Sequence, residues 1–234
     1  MILRSIFFLF FIMAMNVNAQ EFTKNQLIGK GNALLIKENM YLQPEAYKAF
    51  LRMQEDAKKK NIHIKIVSGY RDFEKQKNIW KRKYERYISQ GLIPEQAIQK
   101  IIEYSTIPGT SRHHWGTDID IIDENATYSG DVLVPEKFHG NGPFCKLKEW
   151  LDKNANKYGF YIVYTNNANR KGFKYEPWHY SYAPVSKKML KAYKGLSLKE
   201  ILLEEKLPGI EYFTDGFLNN YILQNISDIN PALF

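Results

Sequence analysis

Residues 62–80, "IHIKIVSGYRDFEKQKNIW", change periodicity in the middle. Ile62, Ile64 and Ile66 alternate with His63, Lys65 and Val67, the period of two expected of a strand with one face on a core. From Asp72 onward, Phe73, Gln76, Trp80, Tyr84 and Tyr87 recur at intervals of three and four, so they share one side of a helix that stops at Gly91. Asp72 is placed to cap the first turn. Ser68-Gly69-Tyr70-Arg71 is therefore a strand-to-helix corner, and Arg71 sits on it.

The surrounding sequence repeats this mixture. Pro44 to Lys60 carries Ala46, Tyr47, Phe50, Leu51 and Met53 at helical spacing, and Pro94 opens a second helix that reaches about Tyr104. "STIPGTSR" reads as a loop and "TDIDII" as a strand leaving it. "CKLKEWLDKNANKYG" predicts a helix closed by Gly159, followed by aromatic strands "FYIVYT" (160–165) and "WHYSY" (178–182). Beyond Pro184 only helical spacing remains. The expected fold class is α+β, a small mostly antiparallel sheet flanked by helices. Residues 20–184 would form the main domain, and residues 185–234 a helical C-terminal extension packed on that core.

The first nineteen residues combine Arg4, an apolar run from Ile6 to Met15 and small side chains around Ala19, the pattern of a secretory signal peptide cleaved after Ala19. The run falls short of the ~20 apolar residues of a membrane span. Export to the periplasm without a stable membrane anchor is expected. Cys145 is the single cysteine, so no internal disulfide is possible, and packing or a metal must hold the fold. Its setting, "GPFCKLKEW", suggests a small buried side chain with no nucleophilic role.

Lys and Arg number 33 against 25 Asp and Glu, a net charge of +8. That balance suits an anionic envelope polymer as partner. The positive residues are scattered, as at 58–60 and 81–83, and no nucleic-acid partner is expected. A monomer is expected.

The chemistry concentrates in residues 110–121, "TSRHHWGTDIDI", which hold two of the five histidines. A hydrolytic zinc site needs three ligands from His, Asp or Glu and an open fourth position. His113 and Asp120 could converge because Gly116 lets the backbone turn sharply between them. The third ligand must come from His63, His139 or His179. His179 follows Glu176 by three residues, and a nearby carboxylate that is not a ligand can serve as general base.

These motifs together resemble a known family, the zinc-dependent D-alanyl-D-alanine carboxypeptidases of the VanY type, related in fold to VanX dipeptidases and the hedgehog amino-terminal domain. Its pattern of S-x-H-x-x-G-x-x-x-D, a later E-x-x-H and an earlier S-G-Y-R with glutamine five residues on is matched by Ser111 to Asp120, Glu176 to His179, and Ser68 to Arg71 with Gln76. The match runs from about Pro44 to Tyr182.

The resemblance implies one zinc ion held by His113, Asp120 and His179, with Glu176 as acid-base group and Arg71 meeting the oxyanion. It also implies Ser111 and Gln76 as substrate contacts, and peptidoglycan stem peptides as substrate with loss of the terminal D-alanine. Arg112, Arg170 and Lys174 are candidates for the substrate carboxylate. An L,D-carboxypeptidase, a peptidoglycan endopeptidase and a non-catalytic zinc-containing wall-binding module share the machinery and are the alternatives. One departure stands out: Asp118 occupies a position that is usually small, often alanine, in the family. Asp118 could orient a ligand histidine, contact substrate or lie on the surface, and His114 is a second candidate for a supporting role.

Overall fold

The computed structural model of the chain describes residues 22–31, 35–36, 41–203 and 205–234. The expected signal peptide lies outside them. Four antiparallel strands, β1 (Ile64–Ser68), β2 (Asp118–Asp123), β3 (Phe160–Ile162) and β4 (His179–Tyr182), form one sheet in the order β1-β2-β4-β3. The sheet is thus antiparallel throughout, as the sequence predicts for most of it.

Helix α1 (Pro44–Lys58) buries Ala46, Ala49, Phe50, Met53 and Ala57 beneath the sheet with Ile64, Ile66, Ile119 and Ile121. Helix α4 (Cys145–Asn154) joins this cluster through Leu147 and Leu151. At the other side, α2 (Phe73–Ser89) and α3 (Pro94–Ile101) pack with α5 (Ala183–Tyr193), α6 (Leu198–Leu202) and α7 (Asp215–Tyr221) around Trp80, Ile98, Trp115, Met189 and Tyr221. Among the described residues no helix is long and apolar enough to cross a membrane.

Asp72 caps α2, accepting from the Lys75 N–H at 2.7 Å. Three expectations need correction. Helix α3 ends at Ile101, and β3 stops at Ile162, three residues before the end of its aromatic run. Cys145 is half-buried at the first turn of α4, because the apolar stripe of the helix begins at Leu147.

The residues beyond the last strand are part of the packing. The Tyr193 hydroxyl donates to the Gly109 carbonyl at 2.9 Å, and Asn225 Nδ2 donates to the Ile102 carbonyl at 3.3 Å. Both bonds reach the segment that leads into the "SRHHWG" turn.

Register places the chemistry. Asp120 lies opposite His179 on β4 and opposite Ser68 on β1, where a bulge between Ile66 and Ser68 shifts the ladder. Asp118 lies opposite Ser181. Because strand residues two apart share a face, both aspartates point to the same side, while Ile119 and Ile121 fill the apolar cluster.

Candidate functional site

Ser111 opens a one-turn 3-10 helix, Arg112–Trp115, by accepting from the His113 N–H. Gly116 ends the turn with φ of +66°, a left-handed conformation that a side chain would strain. The turn delivers the two histidines in opposite directions. His113 Nδ1 meets the Gly69 carbonyl at 2.8 Å, which leaves Nε2 facing Asp120 Oδ2 at 3.4 Å. His114 Nδ1 donates to the Arg71 carbonyl at 2.5 Å and Nε2 accepts from the Gly109 N–H at 3.1 Å. Fully buried, His114 has its pKa pushed down to about 3 by loss of solvent, so it is a neutral tie between the "SGYR" corner and the loop before Ser111.

His179 completes the group. Its Nε2 lies 3.0 Å from Asp118 Oδ2, and its Nδ1 is turned toward Asp120 Oδ1 at 3.9 Å. The ligand atoms of His113, Asp120 and His179 all lie within 4.8 Å of one another. Two imidazole nitrogens and a carboxylate oxygen form a donor set suited to zinc.

Asp120 Oδ1 is buried without a hydrogen-bond partner, an orphaned acceptor of the kind that coordination satisfies. Three carboxylates (Asp118, Asp120, Glu176) also face two guanidinium groups (Arg71, Arg112), so with neutral imidazoles the group carries surplus negative charge. Burial opposes charge on His179, but bonds to Asp118 and Glu176 push its pKa up to about 10. The field that favours a proton on Nδ1 also favours a cation there. These residues fit a divalent metal.

Asp118 is fully buried. Its carboxylate accepts from Arg112 Nε (3.0 Å), Ser181 Oγ (2.6 Å) and Thr117 Oγ1 (2.8 Å) as well as facing His179. Burial alone would raise its pKa, but Arg112 and His179 hold it below the usual carboxylate range. Of the readings open to Asp118, the geometry favours the support of a histidine: it fixes the ring so that Nδ1 faces the centre.

Glu176 Oε2 stands 2.9 Å from His179 Nδ1, and burial raises its pKa. Arg71 donates from Nη1 to Gln76 Oε1 (2.8 Å) and from Nη2 to Ser68 Oγ (2.9 Å). Both acceptors are neutral, so the guanidinium is held in place without a carboxylate partner. Burial lowers its pKa, against the pull of Asp120 and Glu176.

A cavity of about 540 Å³ opens over the group, lined by Arg71, Ser111, His113, Asp120, Glu176 and His179 among others. Gln76 does not line it: the side chain is fully buried, its oxygen on Arg71 and its Nε2 donating to the Thr106 carbonyl at 2.8 Å. It positions Arg71 instead of sitting on the helix surface. Of the three cations proposed for the substrate carboxylate, only Arg112 lines the cavity; Asp118 and Ser181 engage its Nε and Nη2, while its Nη1 is buried without a hydrogen-bond partner. Arg170 bonds the Asp228 and Thr165 carbonyls, and Lys174 pairs with Glu103.

Several lining residues escape the sequence reading. The segments 122–143 and 165–175 contribute Leu133, Pro135 and Phe173, and one whole wall comes from Ile79, Lys83, Arg86 and Tyr87 on α2. Their spacing of four, three and one along the helix was the available signal. Tyr164, packed edge-on to His179 with centroids 5.2 Å apart, is the other omission.

Comparison with known proteins agrees with this geometry. Residues 39–185 match the VanY family model, described as D-alanyl-D-alanine carboxypeptidase. A D-alanyl-D-alanine carboxypeptidase of Enterococcus faecalis is 28% identical over 191 residues, covering 81% of this chain and 63% of its own length. The putative carboxypeptidase YodJ of Bacillus subtilis is 32% identical over 169 residues, covering 72% and 54%. The chain therefore spans between about half and two thirds of the length of these relatives.

Among solved structures, VanYB in complex with D-alanine-D-alanine shares the fold, with a TM-score of 0.54 at 24% identity over 76% of this chain and 92% of that one. A vancomycin-resistance D,D-pentapeptidase VanY variant in complex with Zn(II) gives a TM-score of 0.51 at 25% identity over 72% and 87%. The convergence of His113, Asp120 and His179 beside Glu176, on a fold shared with VanY structures and in a sequence that matches their model over most of its length, means that this chain belongs to the VanY family.

Proposed function

We propose that this chain is a zinc-dependent D-alanyl-D-alanine carboxypeptidase that removes the terminal D-alanine from peptidoglycan stem peptides. It acts in the periplasm after export, as a monomer with a single zinc ion. Residues 20–184 supply the catalytic unit and residues 185–234 brace it. The observation that carries the reading is the 2.9 Å approach of Glu176 Oε2 to His179 Nδ1, the ring nitrogen left for a metal once Nε2 is taken by Asp118. A wall-binding module needs no base at that point.

His113, His179 and Asp120 would hold the zinc, which would supply Lewis-acid polarisation of the scissile carbonyl and make water more acidic. Glu176 accepts the proton of the attacking water on a carboxylate oxygen, and its raised pKa makes it a stronger base than an exposed glutamate. The same oxygen then returns the proton to the leaving amine. Arg71, fixed by Gln76 and Ser68, places its charge against the oxygen that becomes negative in the tetrahedral state, without reorganisation at that moment. Asp118 keeps His179 in one orientation, and Ser111, whose oxygen is engaged by the His113 N–H, retains its hydroxyl proton for the substrate.

Mass spectrometry of defined stem pentapeptide and tetrapeptide, incubated with and without zinc beside a Glu176→Ala control, tests the reading. Loss of one alanine from the pentapeptide, dependent on both zinc and Glu176, is expected. Cleavage confined to the tetrapeptide or to an internal bond would transfer the assignment to an L,D-carboxypeptidase or endopeptidase. Intact peptides in the presence of bound zinc would refute peptidase function.

A further inference from the structure

The cavity wall formed by α2 carries charge that the metal centre and its neighbours do not use. Lys83 lines the cavity half-buried, and its ammonium donates to the Ser105 hydroxyl at 2.6 Å. An ammonium has three protons to give, and among the described residues Lys83 has no ion pair. Among the described residues the Arg86 guanidinium, one turn on, bonds only the neighbouring Tyr87 hydroxyl, at 2.9 Å. Asp131 also lines the cavity and its charge acts on Lys83, yet among the described residues the two form no ion pair.

Such an arrangement leaves the positive charge of this wall without a matching counter-charge from the protein. Burial lowers the Lys83 pKa, the positive charges of Arg86 and Arg71 lower it further, and Glu176 and Asp131 only partly offset them. An anion brought into the cavity would meet two unused ammonium protons in a place with reduced solvent screening.

We propose that Lys83 is a specificity-determining residue that binds a free carboxylate of the substrate. The inference rests on the peptidase reading above and identifies the chemical feature that the site selects. Two carboxylates of a stem peptide could fill this role. The terminal α-carboxylate lies only ~4 Å from the scissile carbonyl carbon by covalent geometry. Lys83 is seven residues along α2 from Gln76, about 10 Å of helix, so a side-chain carboxylate further from the scissile bond is also within the cavity's span.

The test is steady-state kinetics of the zinc-loaded full chain, Lys83→Met and Lys83→Arg, on three peptides. One ends in D-Ala-D-Ala and carries a side-chain carboxylate on its third residue. The second is its C-terminal amide, and the third has lysine at the third residue. Thermal midpoints of the variants establish that they fold. Losing one charge-assisted hydrogen bond predicts a fall in kcat/KM of about 10- to 100-fold for Lys83→Met on the first peptide, carried by KM, with partial recovery in Lys83→Arg.

The penalty disappears on the amide if the terminal carboxylate is the one recognised, and on the lysine peptide if the side-chain carboxylate is. An equal penalty on all three peptides, or none on the first, would overturn the assignment. Binding of the same peptides to Glu176→Ala and to Glu176→Ala/Lys83→Met, followed by calorimetry, separates the two failures. Peptides bound more weakly without Lys83 but never cleaved by the wild type would sink the peptidase reading alone, whereas equal binding would sink the role of Lys83.

Discussion

Tyr221→Phe should destabilise the protein from a position outside the family match, and the size of the effect follows from three hydrogen bonds. Tyr221 is buried, and its oxygen accepts from the Ile107 N–H at 3.1 Å. The Thr110 hydroxyl gives its only proton to the Ile107 carbonyl at 2.8 Å, so in the 2.8 Å contact between Tyr221 and Thr110 the tyrosine must be the donor. Ile107 is fully buried, and phenylalanine leaves its N–H with no partner and no route to water.

An unsatisfied buried donor costs about 1–3 kcal/mol, and the lost donation to Thr110 adds about 1 kcal/mol. The expected loss is therefore about 2–4 kcal/mol. For a chain of this size that lowers the thermal midpoint by about 5–15 °C. Equilibrium unfolding in urea measures the free energy, and amide exchange at Ile107 should accelerate in the folded variant. A loss below about 0.5 kcal/mol, the range of an ordinary surface substitution, with Ile107 exchange unchanged would refute the hydrogen-bond argument.

Asp118→Asn keeps the shape of the side chain but removes its charge, and zinc affinity measured by competition with a chromophoric chelator should fall about 10- to 100-fold. Unchanged affinity would mean that His179 is oriented by other contacts. Glu205 is held below the ordinary carboxylate pKa because its bonds to Lys30 and Lys77 outweigh burial. A depressed carboxylate stabilises above its unfolded pKa, and that stability is lost as pH falls through the folded value. Urea unfolding of Glu205→Gln should consequently show a shallower loss of stability below about pH 4.5 than the wild type, and parallel curves would dismiss this linkage. A Cβ at Gly172 would lie 1.6 Å from the Gln224 carbonyl oxygen, so Gly172→Ala must displace backbone and should cost at least about 1–3 kcal/mol in the same unfolding assay.

The parts of the site that neighbours in sequence determine were legible in advance. The alternation of Ile62, Ile64 and Ile66 and the cap at Asp72 place Arg71 on its corner, and the period of two puts Asp118 and Asp120 on one face. Residue type alone left His113 and His114 equivalent. They separate only because Gly69 and Arg71, more than forty residues upstream, offer their carbonyls to different rings.

Gln76 and Lys83 were harder for the same reason. A glutamine on a charged helix has no sequence mark that it will be fully buried between Arg71 and the Thr106 carbonyl. Lys83 belongs to a run, KRK, that reads as solvated charge, and only the packing of the 105–106 segment against α2 turns its third member into a cavity wall. The bonds from Tyr193 and Tyr221 to the 107–110 loop span more than eighty residues and leave no local pattern at all.

The ladder positions of Asp120 have a further consequence. Ser68, Asp120 and His179 stand level across three strands because of a bulge on one side and an unbroken antiparallel pairing on the other. A slip of one residue between β2 and β4 would turn the aspartate away from the histidine and send Ile119 or Ile121 into the polar cavity. Strand alignment and the assembly of the candidate metal site are therefore a single event. A misaligned chain would lack the metal site, so on the proposed reading zinc uptake during refolding would count only those molecules whose sheet had formed in the native frame.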